Sequence, residues 1–156
     1  MTINKFGGLL LVSLLCLLTS CDNNRVFEEN QAILKEGWEI TDVLKFSADI
    51  QDTVSAHSIY LNVRNSGDYK WSNLYVFVKT TAPNGATIRD TVNLPLADER
   101  GRWLGRGFGS IWDNQIPYRT NIRFPYPGIY VFEVQHGMRE RNLKCVNDFG
   151  IRIERD

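Results

Sequence analysis

The chain has 156 residues, enough for one domain, with 43% hydrophobic and 23% charged residues, which places it among globular proteins rather than disordered or wholly membrane-embedded ones. Lysine plus arginine and aspartate plus glutamate both number 18, so the basic excess usual in nucleic-acid binders is missing. The three cysteines, Cys16, Cys21 and Cys145, form no CxxC pair, which excludes a simple disulfide framework and a cysteine-rich zinc site.

Residues 1–20 read as a secretory signal. Lys5 supplies a positive n-region, and Phe6 to Leu18 is an apolar run of h-region length. It is short for a membrane span, which takes roughly 20 apolar residues. The tetrad Leu18-Thr19-Ser20-Cys21 resembles the bacterial lipobox: an aliphatic residue, two small residues, then the cysteine whose thiol accepts the lipid. On this reading Cys21 is acylated and becomes the first residue of the mature chain, held to a membrane by its acyl chains. Cleavage discards Cys16 and Lys5, takes the formal charge from zero to −1, and leaves Cys145 without a disulfide partner.

Residues 21–36 are expected to be a tether followed by a first edge strand or extended arm, and 37–156 the folded domain. Leu44, Phe46, Ala48 and Ile50 alternate with Lys45, Ser47 and Asp49. Ile59, Leu61 and Val63 alternate with polar neighbours. Leu74, Val76 and Val78 alternate with Tyr75, Phe77 and Lys79, which suggests a central strand apolar on both faces. Pro83-Asn84-Gly85 marks a turn into a return strand through Ile88, Val92 and Leu94. Leu94 to Tyr118 reads as a long connection, Ile122 and Phe124 as a short strand ending at Pro125, and Pro127-Gly128 as the turn into Tyr130, Phe132 and Val134. Met138 to Lys144 is the best helix candidate and a poor one. Ile151 and Ile153 close the series. Seven or eight short strands punctuated by turn residues predict an all-β, antiparallel sandwich. The long connection favours a jelly-roll-like crossover over an immunoglobulin-like hairpin.

The stretch Asp98 to Asp113 stands apart, with four glycines, two tryptophans and one phenylalanine among its residues. Glycine permits close backbone approach and tryptophan brings apolar surface with one polar handle. Its Gly105-Arg106-Gly107-Phe108-Gly109-Ser110 run lacks both the third glycine of a dinucleotide fingerprint and the Lys-Ser/Thr pair of a P-loop. It is expected to fold as a loop over one end of the sandwich, with Arg102, Trp103, Arg106, Phe108 and Trp112 as candidate partner contacts.

Nothing else in the sequence names a reaction. His57 and His136 read as surface or turn residues. Glu133 and His136 lie three apart and so on opposite faces of a strand, and no zinc ligand set accompanies them. Cys145 reads as a buried structural thiol rather than the nucleophile of a pair with His136. Asp90 and Asp98 could face each other, but no pattern places them. Trp71, Tyr75, Trp103 and Trp112 could stack sugars, although such rings usually fill cores and cap sheet ends. Arg139, Arg141 and Lys144, interrupted by Glu140, read as a solvated turn. No catalytic residue, metal ligand or cofactor is expected.

Several motifs together carry a resemblance. The lipobox, Arg64-Asn65 followed by Tyr69, Asn73-Leu74-Tyr75, Leu96-Ala97-Asp98, Gly101-x-Trp103-Leu104-Gly105-x-Gly107, Gly128-x-Tyr130, Met138-Arg139 and Gly150-Ile151-x-Ile153 are similar to those of the gliding-motility lipoprotein family GldH. The resemblance spans nearly the whole mature chain. It implies a lipoprotein of gram-negative bacteria that move over surfaces, needed by a motility apparatus linked to type IX secretion. It implies an envelope location, with the outer membrane favoured, and protein partners of that machinery, without catalytic residues. A carbohydrate-binding surface lipoprotein using the aromatic loop is the alternative.

Overall fold

A computed structural model describes residues 22–156; the signal segment, the lipobox and Cys21 lie outside the described residues. The described chain forms eleven strands and no helix. Eight are long: β1 (Arg25–Ala32), β3 (Leu44–Ile50), β4 (His57–Ser66), β5 (Asn73–Thr81), β6 (Thr87–Pro95), β8 (Ile111–Ile122), β9 (Gly128–His136) and β11 (Val146–Arg155). Three are short: β2 (Trp38–Glu39), β7 (Arg106–Phe108) and β10 (Asn142–Leu143).

The strands build a five-stranded sheet in the order β1-β11-β4-β8-β7 and a four-stranded sheet in the order β3-β9-β5-β6; every pairing is antiparallel. Leaving out β7, consecutive long strands pass from one sheet to the other, except at the β5–β6 hairpin. That is the double Greek-key order of an eight-stranded jelly roll. The small β2–β10 ladder closes one end.

Period-2 patterning determines which side chains enter the core. Phe46, Ala48 and Ile50 from β3, Ile59, Leu61 and Val63 from β4, Leu74, Val76 and Val78 from β5, and Tyr130, Phe132 and Val134 from β9 are all buried. Those of β3, β5 and β9 face Phe149, Ile151 and Ile153 of β11 across the sandwich, those of β4 lie beside them in the same sheet, and Trp38 packs on Phe149 with ring centroids 5.6 Å apart. Burying such faces supplies the main favourable term in folding.

Three expectations are corrected. The presumed long loop from Leu94 to Tyr118 is mostly strand, because the β7–β8 hairpin occupies it and only residues 96–105 connect β6 to β7. Ile122 ends the twelve-residue β8, and Phe124 is a buried loop residue rather than part of a short strand. Residues 138–144 hold β10 and turns instead of a helical turn. The fourth difference is partial. β5 is central, between β9 and β6, yet Tyr75 and Phe77 project outward and stay exposed.

Candidate docking surface at the loop-bearing end

The glycine-tryptophan stretch folds as two tight excursions. The first, Leu96 to Leu104, is turned by Asp98. Its carboxylate accepts from the backbone N–H groups of Arg100 and Arg102 (both 2.9 Å) and from Arg102 Nε (2.8 Å). Those donors stabilise the charged form and hold Asp98 below the usual carboxylate range, the Arg102 backbone N–H contributing most. Gly101 has φ of +76°, a conformation that favours glycine at the turn. The Leu104 N–H donates to the Leu96 carbonyl (2.9 Å), so the excursion returns to its own base. Trp103 bridges Ala97 and packs, half-buried, on the core.

The second excursion is the β7–β8 hairpin, turned at Gly109 and Ser110. Gly107 lies beneath the Trp112 indole, where an added Cβ would come within 2.4 Å of the ring. Gly105 is similarly pressed on the Asp113 carbonyl, at 2.6 Å. The Ser110 carbonyl accepts from the Gly67 N–H (2.7 Å), tying the tip to the β4–β5 connection. Phe108, at 93% exposure, is thereby held out in solvent by a braced hairpin.

Leu104, Gly105 and Arg106 also form one wall of an open trough of about 780 Å³ over the outer face of the five-stranded sheet. Its floor is polar because the outward positions of β4, β8 and β11 are polar. Arg64 Nε donates to Asp113 (2.6 Å) and its Nη1 to Asp148 (3.1 Å). Arg106 stands opposite Asp113 in the next register, so charge alternates across four strands. Burial pushes the Asp148 carboxyl up, a shift opposed by Arg64. Beside this ladder, Asn62 donates to Glu28 (3.2 Å) and Asn30 (3.5 Å). The Asn30 carboxamide lies over Gly150, where a Cβ would sit 1.9 Å from its oxygen. Behind the floor, buried Asn114 donates to the Val63 carbonyl (3.2 Å) and Asn65 Oδ1 (3.0 Å), locking β8 to β4.

Of the candidate contacts, Arg102, Arg106 and Phe108 are exposed, while Trp103 and Trp112 are half-buried supports. Sequence reasoning did not single out the Arg64, Asp113 and Asp148 ladder, because its members come from three strands far apart in the chain. The four aromatic residues suggested for sugar stacking are not brought together: Trp112 covers Gly107, Trp103 faces the core, and Trp71 lies beside Lys70.

The histidines require correction. Both are fully buried rather than at the surface, and neither ring nitrogen of His57 makes a hydrogen bond. They occupy opposite ends of the sandwich. His57 meets Phe124 edge-on at 5.3 Å, and His136 meets Trp38 edge-on at 5.5 Å, under the β2–β10 ladder. Apolar neighbours on alternate positions carry each of them inward. Burial pushes His136 below the usual imidazole range, opposed in part by the Trp38 and Arg141 backbones.

Glu133 points outward to Lys79 (2.6 Å), away from His136. Cys145 is half-buried rather than buried, in a left-handed backbone conformation with φ of +68°. Asp90 and Asp98 take separate partners: Tyr118 and Arg119 for Asp90, Arg100 and Arg102 for Asp98. Glu140 pairs with Lys70 (3.0 Å) and Arg141 approaches Glu39 (4.0 Å) on the exposed turn. Among the described residues no cluster of histidine, cysteine and carboxylate side chains could hold a metal ion, and no helix could cross a membrane.

The profile of the GldH lipoprotein family matches residues 25–153, from the first residue of β1 almost to the end of β11. The chain belongs to the GldH lipoprotein family. It is 30% identical over 159 residues to the gliding motility lipoprotein GldH homolog of Christiangramia forsetii, covering 97% of each chain. It is also 30% identical over 157 residues to the gliding motility lipoprotein GldH of Flavobacterium johnsoniae, covering 96% of each. Among solved structures, a chain of the infectious bursal disease virus Gt strain aligns with 84% of this chain and 32% of its own, at 14% identity and a TM-score of 0.39. That likeness is too loose to carry an argument. The family match covers both the Gly101-to-Gly107 motif and the trough.

Proposed function

We propose that this protein is a non-enzymatic, lipid-anchored component of the gliding-motility machinery that acts through protein contacts. The observation that carries the reading is the match over 97% of the chain to relatives named gliding motility lipoproteins. Acylation at Cys21, after the lipobox Leu18-Thr19-Ser20, restricts the domain to the outer membrane and raises its concentration near membrane partners. Those partners belong to the gliding and type IX secretion apparatus. The braced hairpin with Phe108, Arg102 and Arg106 and the adjoining trough form the docking surface. Its physical features suit that role. A rigid hairpin presents an apolar tip at little conformational cost, and a ladder of alternating charge selects a complementary charge pattern.

A clean deletion tests the reading directly: surface spreading is expected to be lost and restored by the wild-type gene. Normal spreading in the deletion strain would refute it. A Cys21→Ala chain, expected to leave the membrane fraction and fail to restore spreading, tests the anchor, and separation of inner from outer membranes tests the location.

A further inference from the structure

Both ends of the sandwich expose apolar side chains, Leu34 (74%), Leu104 (57%) and Phe108 (93%) at one, and the start of the described chain lies at the other. Arg25 pairs with Glu154, His57 with Ile122, and Ile50 with Gly128, so these strand ends are neighbours. The connections 51–56 and 123–127 and the β5–β6 turn therefore project from the same end as Asp22. Pro83 of that turn touches the Gly128 position. The hairpin tip at Phe108 lies at the opposite end, beyond the whole length of β8. Twelve residues of strand span roughly 40 Å.

At the Asp22 end the exposed apolar side chains are Val54 (80%), Ile88 (56%), Ile129 (57%) and Tyr126 (46%), each at or beside a turn. The chain is pinned there. Arg152 donates to the Asp22 carboxylate, and the Arg155 N–H donates to the Asn24 carbonyl (2.8 Å). Cys21 is one peptide from Asp22, about 3.8 Å between Cα atoms. An acyl group on Cys21 therefore enters the bilayer within one residue of the pinned chain, too short a tether for the Phe108 end to reach lipid. Charges at this end are largely taken up in ion pairs, Arg152 with Asp22 and Glu154 and Arg155 with Asp52 (3.2 Å). Such a surface has little attraction for anionic headgroups. Its aliphatic tips and one tyrosine suit the interfacial layer of a bilayer.

We infer that this end of the sandwich rests on the bilayer that carries the acyl chains, with Val54, Ile88, Tyr126 and Ile129 in the headgroup layer, and that the Phe108 end is presented away from it. The inference rests on acylation of Cys21 and adds the orientation of the domain.

The test uses the acylated full chain, purified and reconstituted in phosphatidylethanolamine/phosphatidylcholine vesicles. Cys145→Ser removes the other mature thiol. A polarity-sensitive fluorophore is then attached at Val54→Cys, at Ile129→Cys or, as the distal control, at Phe108→Cys. Labels at 54 and 129 are expected to shift to the blue on reconstitution and to be quenched by iodide at least threefold less than the label at 108. High salt should leave the difference unchanged. Protein that floats with the vesicles but shows equal iodide quenching at 54, 129 and 108 overturns the orientation alone. Protein that fails to float overturns the acyl anchor and the orientation with it. Because Val54 lies in an exposed loop and Ile129 is an exposed residue at the start of β9, their variants are expected to fold, and the unchanged label at 108 provides the check.

Discussion

Burial of His136 predicts that the stability of this domain falls as pH drops below about 6.5. Its ring is fully buried against Trp38, and burial lowers its proton affinity below the ordinary value of 6.5, opposed in part by the Trp38 and Arg141 backbones. In the unfolded chain the imidazole takes up a proton near 6.5. Between that value and the lower folded value the unfolded state binds more protons, so stability falls as pH falls. The contribution of neutral His136 is fully present above 6.5 and is lost on acidification. Each pH unit in the window is worth about 1.4 kcal/mol, which sets a ceiling of about 2 kcal/mol at pH 5 for this one residue. Glu39 and Asp42, whose charges favour the protonated ring, reduce the loss. Urea denaturation at pH 7, 6 and 5, followed by tryptophan fluorescence, measures it. His136→Phe keeps an aromatic ring against Trp38 and removes the titration, so its curve should be flatter than that of the wild type across the same range. The difference between the two isolates the contribution of His136. Equal stability of the wild type at pH 7 and 5, or the same slope in the variant, would refute the reasoning.

Three further predictions concern the candidate surface. Gly107→Ala puts a methyl group 2.4 Å from the Trp112 ring and should cost about 1–3 kcal/mol by overpacking; in a Trp112→Leu background the cost should shrink, and a double-mutant cycle showing additive effects would dismiss the clash. Gly150→Ala meets the Asn30 side chain at 1.9 Å and the Glu29 carbonyl at 2.7 Å, and should lower the melting temperature by several degrees, whereas relief by Asn30→Ala should be incomplete because the carbonyl cannot move aside. Phe108→Ser removes an exposed ring, so denaturation should show a change within about 0.5 kcal/mol while spreading of the complemented deletion strain is lost; full spreading would remove the hairpin tip from the docking surface.

The strands that alternate cleanly were legible before any coordinates. β3, β4, β5 and β9 each have a face dominated by apolar residues, and a period of two leaves only one way to bury it. The turn at Pro83-Asn84-Gly85 was legible for the same local reason, whereas β8 already ends at Ile122, before Pro125. β8 was not. Its outward side holds Asp113, Gln115, Pro117 and Arg119, its inward side holds Asn114, and pairing with β4 and β7 makes it a strand. The eight-strand order could be favoured from one long connection, but only the hydrogen-bonded partners decide which strands are neighbours. Buried histidines defeat composition-based reasoning because imidazole follows whatever its strand register dictates, and His57 and His136 fall on inward positions.

By itself the sequence determined the all-β class and the glycine-tryptophan motif as the unusual segment. Those properties are local, written in composition and short-range spacing. Only the tertiary structure decided that the motif is a braced hairpin rather than a draped loop. It also joined Arg64, Asp113 and Asp148 in one ladder and set Phe108 at the end opposite Asp22. Each of these depends on which strands pair across the chain, and no local pattern encodes that pairing.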